Sequence, residues 1–171
     1  HEKVNLDVPL IKGALRKEKR GNIRRIVLFG MAGGIIAGIF ILMVGAAYEP
    51  LLPEEFLKLG ENIHTSLAVR FLYGGITEEI LMRFGLMTLF VWLLSKIFKS
   101  LNAKIYWGGI LLAALLFAVG HFPVVFQAVG SPSMLLLSYI VLGNFIGGII
   151  FGWLYWKRGL ESAFIAHIFT H

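Results

Sequence analysis

Glu78, Glu79, Arg83, His121, His167 and His171 all fall inside stretches that are otherwise apolar. An ionised side chain at the centre of a membrane helix costs roughly 2.5–3.5 kcal/mol on insertion scales. Groups retained against that cost are paired with one another or do chemistry. Glu79 and Arg83 are four residues apart. That makes them neighbours on one helical face, able to neutralise each other as a structural ion pair. Glu78 is rotated by about 100° from Glu79 and faces a different neighbour. A carboxylate and an imidazole that meet in a wet pocket make a general base for water. His121 stands at the matching depth: Glu78 lies 18 residues before Lys96 and His121 lies 17 after Lys104, measured from one shared loop. His167 and His171 share a helix face and can either donate to a developing oxyanion or ligate a metal. They lie 9 and 13 residues beyond Arg158, a count that places them shallower than Glu78 unless tilt or an extended loop closes the gap.

The elements that must position these groups are membrane helices. Of the 171 residues, 57% are hydrophobic, more than a water-facing fold can bury, and the apolar runs are long. The fold class is all-α: a polytopic transmembrane helical bundle of about five spans. Residues 1–25 form a basic lead-in and residues 26–171 the helical domain. The first span is Ile26–Ala47, where Gly30, Gly34 and Gly38 recur at every fourth position. That spacing suits close helix contact, or reflects the general glycine enrichment of membrane helices. A loop with an interfacial helix follows, broken by Pro50 and Pro53. The second helix runs from about Ile63 to Ile97 and the third from about Ile105 to Phe122. "VVFQAVGSPS" reads as an uncharged turn region. The fourth span is Met134–Trp156. The last apolar stretch, Leu160–His171, has 12 residues, about 18 Å of helix at 1.5 Å per residue. The chain is therefore expected to end inside a membrane helix and to be part of a longer protein.

The net charge of +6 does not point to nucleic acid. Thirteen of the sixteen Lys and Arg lie in the N-terminal segment, the 96–104 loop and the 157–158 turn. These regions share one side if the spans alternate, which predicts a cytosolic N-terminus next to anionic membrane lipid. The chain has no cysteine, so disulfides, thiolate metal sites and a thiol nucleophile are all excluded. A proton-coupled transporter could use the same buried Glu and His as a relay. Such folds usually carry an internal repeat, and none is evident.

"EEILMR" (78–83), "FAVGH" (117–121) and "HIFTH" (167–171) resemble the three motifs of the CAAX prenyl protease and bacteriocin-processing family of intramembrane proteases, also called the CPBP or Abi family. Order, spacing and placement on separate spans agree over about residues 60–171. The final position, usually Asn in the family, is His171 here. The resemblance implies an intramembrane endopeptidase acting on membrane-associated peptide or protein substrates, prenylated proteins among them. It also implies roles: Glu78 with His121 activates water, Arg83 holds Glu79, and His167 with His171 steadies the oxyanion. Many family members are named metalloproteases. The favoured reading is glutamate-dependent with no cofactor; in the zinc alternative, His121, His167 and His171 are the ligands. An inactive bacteriocin-immunity or scaffold member is the rival within the family.

Overall fold

A computed structural model of the protein describes residues 1–16, 22–63, 66 and 69–170. Helix α2, Ile23–Tyr48, starts where the Asn22 side chain accepts the Arg25 backbone N–H, a standard N-cap. It runs parallel to α8, Leu160–Thr170, and the two are very close. A Cβ at Gly30 would stand 2.7 Å from Ile165 and one at Gly34 2.5 Å from the Ala166 carbonyl, whereas Gly38 meets only the Thr170 carbonyl at 3.8 Å. Two of the three spaced glycines therefore serve helix contact. Ser162 Oγ donates to the Ile26 carbonyl and Thr170 Oγ1 to that of Gly34, fastening both ends of the seam.

The second span is wound differently from an ordinary helix. Val69–Glu78 and Ile80–Met87 are π-helical, and only Thr88–Ile97 (α4) is α-helical. Thr77 and Thr88 each donate a hydroxyl hydrogen bond to the carbonyl five residues earlier, Leu72 and Arg83. Such winding is uncommon and often marks functional positions. Asn102 caps α5, Ala103–Val119. Pro123 does not end the span. It occupies the first turn of α6, Phe122–Val129, where its missing N–H is harmless. The region expected to be a turn is thus mostly helix, and the turn proper begins at Gly130. Helix α7, Met134–Arg158, is capped by Ser133 and lies antiparallel to α2 and α5. A small amphipathic helix, α3 (Pro53–Asn62), packs beside α6 at the opposite end from the N-terminus, where the loop helix was expected.

Four segments are long and apolar enough to cross a membrane: Ile23–Leu51, Phe71–Ile97, Ala103–Val129 and Met134–Arg158. The fifth apolar helix, Leu160–Thr170, is shorter. Among the described residues there is no strand.

The N-terminal segment is part of the bundle. Val4, Leu6 and Val8 are buried in the main apolar cluster with Met87, Val91 and Tyr155. Tyr106 Oη donates to the Val4 carbonyl and the Leu160 N–H to that of Asp7. The first backbone N–H groups of α1 (Pro9–Leu15), at Leu10 and Ile11, donate to Glu161 Oε1 at 2.8 and 2.9 Å. Outside the apolar region, Lys12 bridges Asp7 and Glu2 at 3.0 and 3.1 Å, and its hydrogen bond helps hold the Glu2 carboxyl below the usual range. Residues 1–16, the 96–104 loop and the 157–159 turn thus gather at one end of the molecule.

Candidate active site

The π-wound span brings Glu78, Glu79 and Arg83 to the interior. Glu79 and Arg83 are fully buried and their ion contact, Nε to Oε2, measures 3.1 Å. The other Glu79 oxygen faces His167, whose Nδ1 lies 2.8 Å from Oε1. An ionised carboxylate only accepts, so Nδ1 carries the proton and donates. Glu79 thus has a cation on one oxygen and an imidazole on the other. The Arg83 guanidinium also lies over two aromatic faces, 4.7 Å from the centre of Phe117 and 5.4 Å from that of Phe151. Phe151 stacks on the His167 ring at 4.7 Å with 22° between planes.

Glu78 is the more open of the two acids, its side chain 19% exposed, and its Oε2 lies 3.8 Å from His167 Nε2. That separation exceeds a hydrogen bond and suits a bridging water. His121 sits in the turn between α5 and α6, where its ring packs on Phe117. Its Nδ1 lies 2.8 Å from the Phe117 carbonyl, which can only accept, so Nδ1 carries a proton and donates, leaving Nε2 as the nitrogen available to the site. Phe117 meets the rings of both His121 and His167 edge to face, at 4.9 and 5.9 Å.

Three separate helical segments, two of the spans and α8, thus contribute Glu78, Glu79, Arg83, His121 and His167 to one interior region. His171 lies outside the described residues. The depth count had set His167 too shallow. A π-wound helix packs more residues into each turn, so Glu78 is less deep than a residue count implies. Helix α8 also begins beneath the N-terminal cap, with Gly159 against Pro9, so Arg158 is a poor zero for depth. Sequence reasoning missed Phe151 as a wall of the site. It carried no signal beyond being one more aromatic in an apolar helix. Among the described residues, no group of three His, Asp or Glu has the arrangement that would hold a metal ion.

The fold and site together define a polytopic membrane protein with a carboxylate–imidazole centre enclosed by its helices. The family model described as type II CAAX prenyl endopeptidase Rce1-like matches residues 61–171, and the chain belongs to that family. Comparison with curated proteins and with solved structures gives no match.

Proposed function

We propose that the protein hydrolyses peptide bonds of membrane-associated substrates with a water activated by Glu78 and His121. The observation that carries this reading is the division of labour between adjacent acids. Glu79 has both oxygens engaged by Arg83 and His167, whereas Glu78 is partly open and stands 3.8 Å from His167 Nε2. Glu78 takes one proton of the attacking water as the C–O bond forms and returns it to the amide nitrogen as the C–N bond breaks and the amine leaves. His121, in its neutral form with the proton on Nδ1, helps orient that water through Nε2 and relays the second water proton, released as the new carboxylate forms, to the departing amine. The oxyanion contact falls to His167 Nε2 and to His171. Because the Nδ1 proton of His167 is committed to Glu79, that contact requires a proton on Nε2 as well. A second proton on the ring also balances the local charge, since Glu78 and Glu79 bring two negative charges and Arg83 one positive.

No step in this scheme requires a metal. If zinc were bound, His121, His167 and His171 would hold it, and it would supply an activated water. The substrate class that family membership supports is a peptide anchored at the membrane, including prenylated ones. The basic end of the bundle faces the cytosol in this reading, which places anionic lipid against it.

The test is turnover of a quenched membrane-anchored peptide by the purified protein and by Glu78→Gln, which preserves size and a hydrogen-bonding side chain. The variant should fold normally and lose at least a hundredfold in kcat, within the usual range for removing a general base. Cleavage by Glu78→Gln at the parent rate would sink the assignment.

A further inference from the structure

A wholly apolar cavity of about 400 Å3 opens on the membrane face between α2, α5 and α7. Its walls include Phe29, Gly33 and Ile36 from α2, Trp107 from α5, and Ile150 and Trp153 from α7. Gly33 lets α2 approach α7 closely at the slot, because a Cβ there would stand 2.6 Å from Leu154. One or two helical turns further along both α2 and α7, a second cavity of about 270 Å3 is walled by Arg25, Lys157 and Arg158. The two meet at one contact: the Arg158 guanidinium lies 3.9 Å over the ring of Phe29, which lines the apolar slot. Among the described residues, Arg158 Nε is buried with no hydrogen-bond partner. Asp7 is the acid on the polar wall, and Lys12 Nζ already neutralises it at 3.0 Å. Lys157 Nζ sits 3.4 Å over Trp156. Tryptophans and basic side chains together mark the headgroup level of a bilayer.

We propose that this slot and its basic mouth form a binding site for one anionic glycerophospholipid, with an acyl chain along the slot and the phosphate on Arg25, Lys157 and Arg158. Any apolar groove in a membrane is filled by lipid tails. The charge at its end selects which lipid fills it: the Arg158 guanidinium lies flat against the slot wall with Nη1 on the Lys157 carbonyl at 3.2 Å and leaves its remaining N–H donors and its charge for a phosphate, while a zwitterionic headgroup brings its own ammonium into the same mouth. The slot is distinct from the catalytic cluster. Gly33 lines it, while the adjacent Gly34 packs on α8 next to His167, so α2 is the wall between them.

The test uses the purified protein in nanodiscs of unlabelled phosphatidylcholine, doped with acyl-brominated phosphatidylglycerol or acyl-brominated phosphatidylcholine. Tryptophan quenching is read in a Trp92→Phe background, because Trp92 lines another basic cavity with Lys3 and Lys96. Half-maximal quenching should need at least tenfold less phosphatidylglycerol than phosphatidylcholine. Arg25→Gln and Lys157→Gln, both at exposed positions, should each raise the phosphatidylglycerol midpoint about fivefold. Equal midpoints for the two lipids would overturn the proposal. So would midpoints unchanged in both charge variants, which would put the lipid elsewhere. Displacement of the brominated lipid by a neutral prenyl alcohol but not by unlabelled phosphatidylglycerol would reassign the slot to an isoprenoid chain and equally overturn it.

Discussion

His167 and Glu79 are joined across 88 residues of sequence by a 2.8 Å hydrogen bond that ties α8 to the π-wound span. The bond gives Glu79 a second anchor and makes the Glu79–Arg83 contact one half of a buried triad. It also fixes the His167 ring, sandwiched against Phe151, so that Nε2 faces Glu78.

Arg83→Ala should unfold the protein more easily. Removing one partner of a buried ion pair leaves the other charge without compensation, a loss of about 3–5 kcal/mol. The contacts of the guanidinium with Phe117 and Phe151 disappear as well. Arg83→Lys should fall between Ala and the parent, because an ammonium keeps the charge but not the flat stacking surface. Thermal unfolding in detergent measures both. An alanine variant as stable as the parent would mean that the pair contributes nothing.

Glu161→Ala should release the N-terminal segment while leaving the spans folded. Its carboxylate receives the Leu10 and Ile11 N–H groups at the start of α1. Losing a cap of this kind typically costs about 0.5–2 kcal/mol, enough to raise the open population of a small docked element several-fold. Hydrogen exchange of residues 9–15 should speed up correspondingly, while exchange in α5 and α7 stays the same. Unchanged protection of α1 would show that the apolar side chains of Val4, Leu6 and Val8 hold the segment without this cap.

The spans, their order and the polar residues among them were legible because apolar periodicity and cost of burial leave few alternatives. The close α2–α8 seam was legible as one of two readings of Gly30 and Gly34. Other features were not. In the sequence the third span ends at about Phe122, just before Pro123, although proline suits the first turn of a helix as well as the position beyond its end. The burial of Val4, Leu6 and Val8 was hidden by the charged residues around them, and only contact with Tyr106 and α8 gives it meaning. The π winding of residues 69–87 has no composition signal in a chain this apolar, yet it is one reason Glu78 and Glu79 reach His167.

Membrane orientation is testable at two exposed sites. Leu15, 79% exposed, lies at the basic end and Ser131 lies in the turn after α6 at the other. The Lys and Arg bias predicts that an impermeant maleimide applied to intact cells labels Ser131→Cys and spares Leu15→Cys. The chain has no native cysteine to interfere. Ser131 is a better site than Gly130, whose φ of 79° suits glycine and would strain a cysteine. Labelling of position 15 alone would invert the orientation.

His171 is the position at which the chain departs from the family motif, and two mechanisms predict different tolerances there. Asn and His share one capability: each can donate an N–H from a side chain of similar reach. An oxyanion contact needs only that donor. A zinc ligand at this position needs a strong lone-pair donor such as the imidazole nitrogen, and the neutral amide of Asn offers only a weak carbonyl oxygen. If His171 is an oxyanion donor, His171→Asn should keep substantial activity. His171→Ala should then lose about 10²–10³ in turnover, the usual cost of one such donor. A chelator should leave the parent protein unaffected. If His171 holds zinc, both substitutions should fail alike and the chelator should inactivate the parent. His167 sharpens the comparison: its Nδ1 is committed to Glu79, so only Nε2 is left for either role. Turnover of a quenched peptide by the three proteins, with and without chelator, decides between them. Equal inactivity of the Asn and Ala variants, together with chelator sensitivity, would replace the metal-free mechanism with a zinc-dependent one.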